Sequence, residues 1–200
     1  MNYLAHLLLS GDNDEIKLGN FIADAVKGKN YKVFSTNIQT GIILHRKIDY
    51  FTDNHQITKE LSFTLREKYK KHSGIVVDIF YDYFLANNWE EYSEQKFENF
   101  ISNTHALLIH NYKILPPKIK RVLPFLIAKK RLLSYKKIIG ISDVLTAMSK
   151  YTSLPYETDF AIKILTENYD EFNTKFNHFY KEIDQYVKEE LSSISKLLYS

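Results

Sequence analysis

Three stretches of the chain put two polar side chains four residues apart among apolar neighbours. They are Asn20 and Asp24 in GNFIADAV, His45 and Asp49 in GIILHRKIDYF, and Asp78 and Asp82 in IVVDIFYDYFLA. Residues at i and i+4 share one face of a helix, so each pair projects two polar groups in one direction. A helix apolar on every side is buried, and a lone carboxylate there costs on the order of several kcal/mol unless it is neutralised or paired. Asp78 and Asp82, one helical turn apart, add like-charge repulsion. No Lys or Arg lies between Lys71 and Lys96 to pair with them. A divalent cation would relieve all these acids at once, and oxygen ligands plus imidazole suit Mg²⁺ or Mn²⁺, with Zn²⁺ and Fe²⁺ open. Each residue alone has an ordinary structural role open to it; three such helices together point to a metal site. Asp53 and His55, in FTDNH, are close enough in sequence to join it, or they form a helix end and an exposed side chain.

Other chemistries find little support. The chain has no Cys, which removes disulfides, thiolate catalysis and thiolate metal sites and fits a reducing cytoplasm. It has no Glu-x-x-His, no HExxH, no phosphate-binding glycine loop and no adjacent His-Asp dipeptide. No Ser sits in a nucleophile elbow, so water activated by a metal is the natural nucleophile.

The elements that must position these residues read as helices. Spacing and end signals predict helices over 14–26, with Gly28 past its end, and over 36–53, capped by Ser35 or Thr36. Further helices are expected over 58–71, over 75–87 after Gly74, from a cap at Ser93 to His110, and from a cap at Ser142. Pro116 and Pro117 break the chain, and Pro155 precedes one long amphipathic helix with the stripe Phe160, Ile164, Phe172, Phe176, Phe179, Ile183 and Val187. The β-branched runs GIILH and GIVVDIF lie inside helix-period segments without hairpin turns, so strands are discounted. The expectation is an all-α, single-domain helical bundle over 1–200.

Composition agrees. Of 200 residues, 44% are apolar and 26% charged, with only 6 Gly and 4 Pro, which suits one folded domain rather than a linker-rich chain. No run reaches the roughly 18 apolar residues of a membrane span, and the start lacks a basic leader, so a cytoplasmic protein with no membrane partner is expected. The net charge of +3 says little by itself, but 117–140 holds eight basic residues and no acid. These are Lys118, Lys120, Arg121, Lys129, Lys130, Arg131, Lys136 and Lys137. The strip reads as a docking surface or a solvated helix face. Its few aromatics (Phe125 and Tyr135) support a nucleic-acid stacking platform poorly, so no nucleic-acid partner is expected.

In this order MNYLAH, GNFIADAVKG, GIILHRKIDYFTDNH, SGIVVDIFYDYFLANNW, LPPKIKRVLP and GISDVLTAMSK resemble the acyl carrier protein phosphodiesterases, over residue 1 to about 150. The resemblance implies an all-α fold distantly related to the HD phosphohydrolases and a divalent metal, Mn²⁺ or Mg²⁺. It also implies hydrolysis of the diester that joins 4′-phosphopantetheine to a serine of holo-acyl carrier protein, leaving the apo form. Pattern and resemblance together suggest His45, Asp49, Asp78 and Asp24 as metal ligands, and the family motif adds His6, with Asp82, as further metal-site groups. His55 is a candidate general acid, and Arg46 either clamps phosphate or is solvated. Acyl carrier proteins are acidic, so Lys120, Arg121, Lys129, Lys130 and Arg131 are expected to bind the protein substrate. The chain departs from the family at Tyr83, where a His is common, and the missing His-Asp dipeptide means different metal-ligand spacing. A hydrolase of small phosphoesters or nucleotides and a non-catalytic module for an acidic partner are the alternatives. The oligomeric state is left open.

Overall fold

The computed structural model describes residues 2–128 and 130–199, and they contain helices and no strand. Lys129 of the basic strip lies outside the described residues. Helices α1 (Tyr3–Leu9), α2 (Asp14–Ile22), α3 (Thr36–Asn54), α4 (Gln56–Tyr69) and α5 (Ser73–Asn87) build the first half. The second half comprises α6 (Trp89–Tyr92), α7 (Phe97–His110), α8 (Pro117–Ala128), α9 (Arg131–Ser134), α10 (Ile138–Tyr151), α11 (Thr158–Glu167) and α12 (Tyr169–Tyr199). No helix of the described residues is long and apolar enough to cross a membrane.

Several helix ends differ from expectation for local reasons. The first predicted helix stops at Ile22, and a 3-10 turn over Ala23–Ala25 follows before Gly28 turns the chain at φ +55°. Ser93 does not cap α7, which starts at Phe97: its backbone N–H closes the short α6 on the Trp89 carbonyl at 3.0 Å and its hydroxyl accepts from the Gln95 N–H at 3.2 Å. Ser142 sits inside α10 rather than at its start. The long helix after Pro155 is two helices, split at Asn168, whose side-chain amide donates back to the Ile164 carbonyl at 2.9 Å. The apolar stripe changes at that break: Ala161 and Leu165 are buried in α11, with Phe160 and Ile164 only partly so. In α12, Phe172, Phe176, Phe179, Ile183 and Val187 are all buried as the period requires.

Two contacts fix the functional end. Helices α2 and α3 meet backbone to backbone, because a Cβ on Gly19 would run into the Ile38 carbonyl and one on Gly41 into that of Ile16. Only glycine allows that approach, and it brings Asn20 beside His45. On the other side, Phe172, Phe176 and Phe179 of α12 pack on Phe80, Tyr81 and Phe84 and anchor α5.

Candidate metal centre

Asn20, wholly buried, organises the site. Its amide nitrogen donates to the His6 carbonyl at 3.0 Å and to Ser10 Oγ at 2.9 Å. A carbonyl can only accept, so the amide orientation is settled and Oδ1 must face the two rings. Oδ1 lies 2.8 Å from His6 Nδ1 and 3.0 Å from His45 Nδ1. Being only an acceptor, it requires a proton on both Nδ1 atoms. Each ring therefore turns its Nε2 outward, as a lone pair where the ring is neutral and as an N–H where it is charged.

Those Nε2 atoms meet carboxylates. His6 Nε2 is 3.0 Å from Asp49 Oδ1, while His45 Nε2 is 3.1 Å from Asp49 Oδ2 and 3.3 Å from Asp24 Oδ1. The rings stack with centroids 4.0 Å apart. The imidazoles form the floor, with side chains 3% and 8% exposed, and Asp49 and Asp24, at 39% and 58%, form the rim.

Electrostatics keep the two rings unlike each other. Burial, reinforced by the neighbouring His45, pulls His6 down to about 4. Burial also opposes charge on His45, but Asp24 and Asp49 outweigh it and lift the ring to about 9. Partial burial opposes charge on Asp49 too, yet the two histidines hold its carboxyl well below the usual range. Asp24 is lowered chiefly by its hydrogen bond from His45. His6 Nε2 and Asp49 Oδ1, 3.0 Å apart, are close enough to share a proton or to ligate one cation.

His6, His45 and Asp49 each offer a ligand atom, and these atoms all lie within 4.8 Å of one another, so the cluster could hold a metal ion. Two imidazole nitrogens with carboxylate oxygens, the rings oriented from behind by an amide, suit a first-row divalent ion. The cluster opens into a cleft of about 390 Å³ whose lining includes Asp24, His45, Asp49, Asp53, Lys71 and Asp78. Asp24, His45, Asp49 and Asp78, from three different elements, are thus brought together as the sequence suggested, and His6 joins them from α1.

Other expected residues are placed elsewhere. Asp82 does not line the cleft: fully buried, it accepts from the backbone N–H groups of Leu4 at 2.9 Å and Ala5 at 3.1 Å, holding the start of α1, the helix that carries His6. Burial pushes its carboxyl up to about 7, against the pull of those two N–H groups. His55 caps α4, its Nδ1 accepting from Ile57 N at 3.2 Å and its Nε2 facing Glu182 at 3.1 Å, so it stands outside the cleft it was expected to serve. Arg46 donates to the carbonyls of Val26 at 3.0 Å and Gly28 at 2.9 Å, pinning the loop beyond Asp24 instead of projecting into the cleft. Tyr83 packs edge-on against Phe84 and Tyr169, away from the cleft lining. Lys120, Arg121, Lys130 and Arg131 do not line the cleft either. Sequence reading counted Asn20 in a polar pair with Asp24 but gave it no role of its own; its place one turn before Asp24 in a buried helix was the available signal.

The family model described as acyl carrier protein phosphodiesterase matches residues 1–183. A protein of that name from Photorhabdus laumondii is 28% identical over 181 residues, covering 90% of this chain and 91% of its own. One from Enterobacter sp. is 30% identical over 182 residues, covering 90% and 94%. One from Serratia proteamaculans is 25% identical over 190 residues, covering 94% and 98%. No solved structure matches the chain. With the match running through every helix that lines the cleft, the chain belongs to the acyl carrier protein phosphodiesterase family.

Proposed function

We propose that this chain is a divalent-metal-dependent phosphodiesterase that releases 4′-phosphopantetheine from holo-acyl carrier protein. The observation that carries the reading is the convergence of two outward-facing Nε2 atoms and the Asp49 carboxylate at the floor of an open cleft. His6, His45, Asp49 and Asp24 would hold the ion, Mn²⁺ or Mg²⁺, with Asp78 facing the same cleft. The bound ion supplies electrostatic stabilisation of the phosphoryl oxygens and a more acidic water.

The chain's own groups do the rest. Asn20 keeps both rings in the tautomer that points Nε2 at the ion site. Asp82 holds α1, and with it His6, in register. Lys71, at the mouth, offers a cation to the phosphate. Water forms the new P–O bond, the bond from phosphorus to the serine oxygen breaks, and that oxygen takes a proton. Asp53, though exposed, lines the cleft where His55 does not, and partial desolvation raises its carboxyl, the direction a proton donor requires. The whole of 1–200 acts as one domain in this reading. The lack of Cys supports a reducing compartment, and we place the reaction in the cytoplasm.

The test is intact-mass measurement of holo-acyl carrier protein after incubation with the protein and Mn²⁺. Loss of the 4′-phosphopantetheine mass supports the reading. No loss with any of Mn²⁺, Mg²⁺, Fe²⁺ or Zn²⁺ overturns it, and turnover of small phosphodiesters alone would favour the small-substrate alternative.

A further inference from the structure

A second groove, of about 680 Å³, runs from the cleft along α4 and the start of α5, and the two share Asp53, Lys71 and Gly74 in their linings. Its walls carry Lys59, Arg66, Lys70 and Lys71. Among the described residues none of these four makes an ion pair. Of the two acids in its lining, Glu60 is taken up by Lys175 at 3.1 Å and by Gln56 at 3.0 Å, and Asp53 makes no ion pair with any of the four cations. Phe63 stands among the cations with 72% of its surface exposed.

We propose that this groove docks the acidic surface of the protein substrate and delivers its phosphodiester to the cleft; this rests on the phosphodiesterase reading above. Four cations without partners beside one exposed aromatic ring fit a partner that is acidic and carries an apolar contact. Lys71, common to both linings, joins the docking face to the reacting phosphate.

The basic strip of the second half fits this role less well. Lys120 donates to the Lys113 carbonyl at 2.8 Å and lies over the Tyr112 ring, while Arg131 lies over Phe125. These cations are held against their own chain, and no described residue of 118–137 lines the cleft or the groove. Exposed charges act mainly on encounter and on the stability of the bound complex, so the expected signature is in KM rather than kcat.

The experiment compares wild type, Lys59→Glu/Arg66→Glu, the conservative Lys59→Arg/Arg66→Lys, and Lys120→Glu/Arg121→Glu, each checked for an unshifted thermal transition. KM and kcat are measured on holo-acyl carrier protein, and binding of the apo form is followed by fluorescence anisotropy at low salt. Reversal in the groove should raise KM and weaken apo-form binding at least tenfold, with kcat changed less than threefold. The conservative pair should restore both, and reversal on α8 should change KM by less than threefold. Equal or larger effects on α8, no effect in the groove, or no binding by wild type would overturn the proposal. Groove-dependent binding without any turnover would leave the docking surface standing and sink the phosphodiesterase reading instead.

Discussion

The imidazoles of His6 and His45 stack at 4.0 Å and both present Nδ1 to the same oxygen of Asn20. Two imidazolium ions would repel at that separation in a buried site, so the pair holds at most one proton beyond neutrality. One amide thus sets two tautomers, and both Nε2 atoms point at Asp49. This arrangement makes the cluster a candidate metal centre as well as a set of His–Asp ion pairs.

Replacing Asn20 tests that role directly. Asn20→Leu keeps the volume but removes the shared acceptor, freeing both rings to change tautomer. Mn²⁺ affinity, read by isothermal titration, should fall about 10–100-fold. An unchanged affinity would show that the rings are oriented by something else.

Without metal, stability should peak near pH 6.5. His6 sits at about 4 in the folded chain, below its ordinary value of 6.5, so the unfolded chain binds more protons between those values and stability rises with pH there. His45 sits at about 9, so the folded chain binds more protons between 6.5 and 9, and stability falls as pH climbs through that window. Urea midpoints of the chelator-treated protein across pH 4–9 trace both arms. His45→Gln should flatten the alkaline arm and weaken the acid arm without abolishing it, because burial still lowers His6 once the His45 charge is gone.

Asp78 and Asp82 lie one helical turn apart yet should fail differently when replaced. Asp82→Ala strips two buried N–H groups of their acceptor and should cost about 2–5 kcal/mol of stability. It should also weaken metal binding, because α1 carries His6. Asp78→Ala removes a carboxylate from the cleft lining, so it should abolish most activity with a much smaller loss of stability. Urea unfolding alongside a turnover assay separates the two.

The junction of α4 and α5 carries strain at Lys70, whose φ of +50° is foreign to a side chain with a Cβ. Relief of about 1–3 kcal/mol of strain exceeds the roughly 0.5–1 kcal/mol that glycine costs through the unfolded chain. Lys70→Gly should therefore raise the urea midpoint by about 1 kcal/mol of stability, even as it removes a groove cation.

Much of this site was legible because i,i+4 polar pairs in apolar helices violate burial so plainly. Asp24, His45, Asp49 and Asp78 were exposed by that conflict alone, and all four line one cleft. Asp82 obeyed the same pattern and found another solution, because the conflict can be resolved by the open end of a distant helix as well as by a metal. Asn20 was underread since a buried amide is ordinary until its two partners, 14 residues before and 25 after, are brought together by the Gly19–Gly41 approach. His55 misled because proximity in sequence to Asp49 ignores the turn into α4, which takes the ring as its cap. The groove along α4 was invisible for a related reason: its cations are spread over two elements, whereas the strip at 118–137 is conspicuous by being contiguous.

The central claim is that Asn20 aims two Nε2 atoms and Asp49 at one divalent ion. A crystal grown with Mn²⁺ and read by anomalous scattering tests it most directly. The account predicts a single strong peak bonded to Nε2 of both His6 and His45 and to an Asp49 oxygen, with both Nδ1 atoms still on Asn20. A peak bound through Nδ1, or located away from these residues, would contradict it, as would no peak at saturating Mn²⁺.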